Sequence, residues 1–172
     1  MPRRSIPPDM RVRSRSAGPA AMLVFGYGNP SRGDDAIGPL LIERLEALRR
    51  SGGLRGVDLL TDFQLQVEHA LDLCNRKGVI FVDAAADQSE PLRWIAVEPE
   101  PHAAWSSHSL SPGAVAGVYQ AMYGRPPPMW LLAVRGESFE LGNGLSAVAA
   151  RHLDLAVAAV LAALPTRGQA GV

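Results

Sequence analysis

Gly26-Tyr27-Gly28-Asn29-Pro30-Ser31-Arg32-Gly33-Asp34-Asp35-Ala36-Ile37-Gly38 is the stretch on which the reading of the fold turns. The short apolar run Met22-Leu23-Val24-Phe25 precedes it. A helical pattern follows, with Ile37, Leu40, Leu41, Leu45 and Leu48 on one face. The segment therefore reads strand, glycine-rich turn, helix. In an open α/β sheet such a turn lies at the carboxyl ends of the strands, where ligands bind. Glycine-rich turns at that place usually receive phosphate on bare backbone N–H groups. This one carries two adjacent carboxylates, which repel phosphate and suit a metal or a proton.

A nucleotide site fits poorly. A dinucleotide fingerprint needs G-x-G-x-x-G; Gly26 and Gly28 satisfy it, but Ser31 occupies the third position. No Lys-Ser/Thr pair marks a phosphate loop. A plainer account of Asp34 or Asp35 is helix capping. One aspartate suffices for a cap, which leaves the other spare.

At 172 residues and 47% hydrophobic, the chain suits one domain with a substantial core. Basic and acidic residues balance at 17 each, but unevenly. Residues 1–21 hold Arg3, Arg4, Arg11, Arg13 and Arg15 against Asp9 alone, so the rest of the chain is mildly acidic and does not suggest nucleic acid. This tail is rich in Pro, Arg and Ser and is expected to be disordered. Arg3-Arg4 is not followed by the apolar stretch of an export signal. No apolar run reaches membrane-spanning length, and the single Cys74 excludes an intrachain disulfide or a thiolate cluster. A cytoplasmic protein is expected, with one domain over 22–164 and a short tail over 165–172. A chain beginning at Met22 should fold and act normally, because the tail has too little apolar surface to offset the entropy of ordering it. Lost folding or activity in that shortened chain would assign the tail a role.

Further along, 57–60 reads as a strand and 64–77 as a helix with Leu65, Ala70, Leu71, Leu73 and Cys74 on its apolar side, stopped by Gly78. On that helix Glu68, Asp72 and Arg76 step by four and form a solvated charged face beside His69. Val79-Ile80-Phe81-Val82 is wholly apolar, as in a central parallel strand, and ends at Asp83. A strand over 92–97, a proline-bounded loop with His102, Trp105 and His108, a helix over 110–122, a strand over 129–134 and a helix over 145–164 complete the chain. The alternation implies a mainly parallel sheet with helices on both faces.

Asp35, Asp83 and His108 all stand at element ends. If strands one and three are neighbours, a crevice opens between them and the two aspartates face one another. Two carboxylates and an imidazole suit a divalent transition metal; the carboxylates could equally work as an acid–base pair. Plainer accounts make Asp83 a turn cap and His108 part of a helix entrance. No G-x-S-x-G elbow is present, and Cys74 on an apolar face suits packing more than reactivity. His102 and His152 have no supporting context.

Taken together, Gly26-Tyr27-Gly28-Asn29-Pro30 with Gly33-Asp34-Asp35-Ala36-Ile37-Gly38, then Val82-Asp83-Ala84, then His108-Ser109-Leu110-Ser111-Pro112, resemble the hydrogenase maturation proteases over roughly residues 22–164. The run Asp62-Phe63-Gln64-Leu65-Gln66-Val67-Glu68-His69-Ala70-Leu71-Asp72-Leu73 looks like the branch serving cytoplasmic, NAD-coupled bidirectional hydrogenases, with Val67 where many relatives carry proline. The resemblance implies an endopeptidase that removes a C-terminal extension from the nickel–iron hydrogenase large-subunit precursor after nickel insertion. It implies that Asp35, Asp83 and His108 recognise nickel presented by that substrate, with no tightly held metal, and that Asp62 is a further candidate catalytic residue beside Asp35 and Asp83. Water activation by the metal and by an aspartate base both stay open. The implied fold is a three-layer α/β/α sandwich on a five-stranded sheet in order 2-1-3-5-4, strand four antiparallel. A monomer is expected, with no nucleic-acid or membrane partner. The alternatives are a nickel-sensing chaperone that binds the precursor without cutting it, and a nucleotide-binding α/β module.

Overall fold

The structure is a computed structural model that describes residues 21–101 and 110–165. His108, His102 and Trp105, with residues 1–20 and 166–172, lie outside the described residues. The elements run β1 (Ala21–Tyr27), a 3-10 turn (Gly33–Ala36), α1 (Ile37–Arg50), β2 (Val57–Asp62), a 3-10 helix (Val67–Leu73), β3 (Arg76–Ala85), β4 (Leu92–Ala96), α2 (Pro112–Tyr123), β5 (Met129–Arg135) and α3 (Ala147–Ala163). The sheet order is β2-β1-β3-β5-β4. β1, β2, β3 and β5 pair in parallel, and β4 joins β5 antiparallel at the edge. No helix among the described residues is long and apolar enough to cross a membrane.

The central runs 22–25 of β1 and 79–82 of β3 are apolar because both of their faces are covered. Val24, Ile80, Val82, Leu132 and Val134 meet Ile37, Leu41 and Leu45 of α1 and Leu153, Ala156 and Val160 of α3 on one face. Leu23, Phe25, Val79 and Phe81 meet Leu65, Ala70 and Leu73 together with Val115, Ala116 and Val118 of α2 on the other. Two cores around one sheet make the three layers. Phe25 and Phe81 are wholly buried, and each contributes about 1.5–3 kcal/mol through removal from water.

The expected helix over 64–77 is corrected. Gln66 is extended at φ −132°, and only Val67–Leu73 turn, as a 3-10 helix. The chain reverses at Asn75, which takes φ +57°. Asparagine is one of the few side chains that visit this left-handed region readily. The stop is therefore Asn75, three residues ahead of Gly78, and Gly78 lies inside β3. The expected charged face disappears with the helix. Arg76 belongs to β3 and binds the Asp58 carboxylate and the Asp72 carbonyl, Leu71 is exposed, and His69 is buried.

Candidate functional site at the carboxyl edge of the sheet

The pairing of Tyr27 with Asp62 and of Gly26 with Val82 sets Asp62, Tyr27 and Asp83 side by side across the ends of β2, β1 and β3. Strand alternation points all three to the face that carries Phe25 and Phe81. The Tyr27 hydroxyl donates to the Asp83 carboxylate. Burial pushes the Asp83 carboxyl up to about 6; the negative charge of Asp35 adds to this, and the Tyr27 and Ala84 hydrogen bonds oppose it. Burial first, then Asp83 and Asp35, hold the Tyr27 phenol well above its ordinary range. Asp35 thus lies near enough to Asp83 for its charge to act on that carboxyl.

Asp35 reaches that place through a tightly wound turn. Its Oδ2 accepts from the Asn29 backbone N–H at 2.7 Å. Gly28 stands at φ +144°, and a Cβ there would lie 2.0 Å from the Asp35 carbonyl oxygen. Only glycine permits that approach.

Neither aspartate caps α1. Asp34 is wholly buried. It accepts from the backbone N–H groups of Glu137 at 2.7 Å, Ser138 at 3.0 Å and Ser146 at 2.7 Å, and from the Ser146 hydroxyl at 2.8 Å. Burial alone would raise its pKa, but these bonds outweigh it and hold the carboxyl below its ordinary value. Asp34 is a fastening for the loop after β5, and Asp35 is the spare carboxylate.

The turn has no donors left for phosphate. The N–H of Gly28 goes to Asp62, of Asn29 to Asp35, of Ser31 to the Asn29 side chain and of Arg32 to Asn29. Those of Gly33, Asp34 and Asp35 go to Asn143, Ser138 and Arg32. Pro30 has none. A phosphate cradle needs these groups free, so the nucleotide alternative is set aside.

Asp62 has both oxygens addressed. Oδ1 accepts from the Phe63 N–H at 2.6 Å, and Oδ2 lies 3.3 Å from His69 Nε2. One third of its side chain stays exposed. His152, set aside in the sequence, is buried with Nδ1 2.9 Å from the Arg135 carbonyl, tying α3 to the end of β5. Among the described residues no three His, Cys, Asp or Glu side chains gather as a metal set; the third expected nickel-recognising residue, His108, lies outside them.

No protein-family model matches the chain, and no curated protein matches it. Solved structures do. The hydrogenase maturating endopeptidase HybD from E. coli superposes with a TM-score of 0.66 at 26% identity, over 83% of this chain and 91% of that one. The fold is that of HybD. The solution structure of an endopeptidase from Escherichia coli matches at 26% identity and TM-score 0.65 over 83% and 91% of the two chains. The [NiFe] hydrogenase maturation protease HycI from Thermococcus kodakarensis matches at 24% identity and TM-score 0.62 over 84% and 92%. The HybD fold accounts for the sheet order, including the antiparallel edge strand.

Sequence reasoning missed two residues of this edge. Tyr27 lies in the quoted motif, and its alternation with Phe25 was the signal for which way it points. His69 was hidden by the assumption of a full α-helix, which turned it toward solvent.

Proposed function

We propose that this chain is a processing endopeptidase that removes the C-terminal extension of a nickel–iron hydrogenase large-subunit precursor, reading the inserted nickel as its recognition element. The observation that carries the reading is the gathering of Asp62, Asp83 and Asp35 at the carboxyl edge of the sheet in a HybD-like fold. Two neighbouring carboxylates, one of them raised by burial to about 6, are stabilised in their charged forms by an arriving cation. Asp35, Asp83 and His108 then complete the shell of a metal that the substrate's own ligands hold. Three ligands of which only one is imidazole make a poor permanent site, which suits reading a metal delivered by another protein. Asp62, partly exposed at the neighbouring strand end, takes the proton from the attacking water. The water oxygen bonds to the scissile carbonyl carbon, the C–N bond breaks, and the proton passes to the departing amine.

The test is incubation with a nickel-loaded large-subunit precursor of the source organism's own hydrogenase, followed by mass measurement of the C-terminus. The expected result is loss of the extension from the loaded precursor and none from the nickel-free one. Tight binding without any loss of mass would replace this reading with that of a nickel-sensing chaperone.

A further inference from the structure

We infer that His69 is a positioning residue for Asp62. The inference rests on the processing reading above. His69 Nδ1 accepts the Gln66 backbone N–H at 2.8 Å. The ring proton therefore sits on Nε2, the nitrogen that faces Asp62 Oδ2 at 3.3 Å. The ring cannot readily turn away. It is buried, and it meets Phe25 edge to face, with centroids 4.7 Å apart and planes at 86°. Phe25 in turn lies in the core beneath β1.

The local helix does not require an imidazole here. Gln66 and His69 form a reciprocal capping box, and the usual partner at that position is Glu or Gln, which supply an acceptor. Histidine supplies the acceptor and, from its opposite nitrogen, an N–H that lies 3.3 Å from Asp62 Oδ2. With the Phe63 N–H on Oδ1 and His69 beside Oδ2, Asp62 has a neighbour at each oxygen, and one third of its side chain stays exposed. A base oriented by a third group is a recurrent catalytic arrangement. The 3.3 Å separation is loose, as such contacts often are before substrate binds.

The competing account is that His69 only staples the 3-10 helix to β2. A double-mutant cycle on the full chain separates the two. The probe is the nickel-loaded precursor, with kcat and KM measured for the unsubstituted chain, His69→Ala, His69→Gln, Asp62→Asn and the Asp62→Asn/His69→Ala pair. Thermal unfolding is recorded for each. His69→Ala should lower kcat by about 10- to 100-fold, the range seen when an orienting partner is removed, with KM nearly unchanged. In the Asp62→Asn background the same substitution should cost nothing more. His69→Gln keeps the capping acceptor and an amide N–H, and should recover part of the lost kcat.

An equal factor in both backgrounds, or an unchanged kcat in His69→Ala, overturns the positioning role. Where Asp62→Asn leaves no measurable rate, His69→Gln decides. Recovery above His69→Ala supports the role, and an equal loss in a natively folded His69→Gln overturns it. An unsubstituted chain that leaves the loaded precursor uncut takes down the processing reading and this inference together. Cleavage with an insensitive His69 takes down this inference alone.

Discussion

Asp83→Asn is expected to lower processing of the nickel-loaded precursor by about 10²–10⁴-fold, the scale of a lost catalytic carboxyl, and at the same time to make the protein more stable at pH 8. The two effects share one cause. Burial, with Asp35 adding to it, lifts the Asp83 carboxyl from 3.8 to about 6, against the Tyr27 and Ala84 bonds. The folded protein therefore holds this proton more tightly than the unfolded chain does. Ionising Asp83 costs nothing in stability below pH 3.8; the cost grows between 3.8 and about 6 and is complete above that. It amounts to about 2–3 kcal/mol at pH 8 by the free energy of such a shift. Asparagine is neutral throughout, and its carbonyl still accepts from Tyr27. The melting temperature of the variant should exceed that of the unsubstituted chain at pH 8 and approach it at pH 4. An undiminished cleavage rate would remove Asp83 from the site, and a melting difference independent of pH would contradict its burial as the cause.

The carboxyl edge was legible because each of its strand ends announces itself. Met22-Leu23-Val24-Phe25 and Val79-Ile80-Phe81-Val82 are wholly apolar, as strands covered on both faces must be. The first polar residue after the second run is Asp83, level with the end of β1, although β3 itself continues to Ala85. Asp83 was found in this way, and Asp35 by its glycine-rich turn. The neighbouring of β1 and β3, which brings the two aspartates together, is a property of strand order that no local pattern carries; the family resemblance supplied it. The second helical segment failed for a local reason. Leu65, Ala70, Leu71, Leu73 and Cys74 fit a helical face loosely, and Gly78 is the obvious breaker. Asn75 at φ +57° ends the turn first. Treating asparagine as an equal candidate for that left-handed position would have shortened the helix, moved Arg76 into β3 and released His69 from its supposed solvated face.

Choosing between Asp34 and Asp35 was beyond the sequence for a different reason. Both are flanked by the same turn, and what separates them comes from residues more than a hundred positions away. The donors to Asp34 are Glu137 and Ser138, in the loop after β5, and Ser146, at the start of the helix read over 145–164. Ser146 also serves as the N-cap of α3, its hydroxyl accepting from Ala149. One buried carboxylate thus fixes the start of α3 and the far side of the glycine-rich turn.

Asp34→Asn should accordingly act with the opposite sign to Asp83→Asn. Oδ2 accepts from Glu137, Ser138 and the Ser146 hydroxyl, and Oδ1 accepts from the Ser146 N–H. An amide offers one oxygen, so whichever way it is flipped at least one buried donor meets an NH2 group. Each such orphaned donor costs about 1–3 kcal/mol, and the lost charge weakens the bonds that survive. A total of about 2–5 kcal/mol is expected, a large part of the stability of a domain this size. Because the folded-state pKa of Asp34 lies below its unfolded value, the stability it contributes is present above pH 3.8 and is lost as pH falls through the folded value. The penalty of Asp34→Asn should therefore be full at pH 7 and shrink in strong acid. The turn also depends on this loop through Gly33 to Asn143 and Gly142 to Ser31, so displacement of the loop moves Asp35. Processing should fall in Asp34→Asn even at temperatures where the variant remains folded. Denaturant unfolding at pH 7 and pH 3 measures the first effect, and the cleavage assay well below the melting temperature measures the second. A variant as stable as the unsubstituted chain at pH 7 would show that Asp34 is not the fastening its four hydrogen bonds describe.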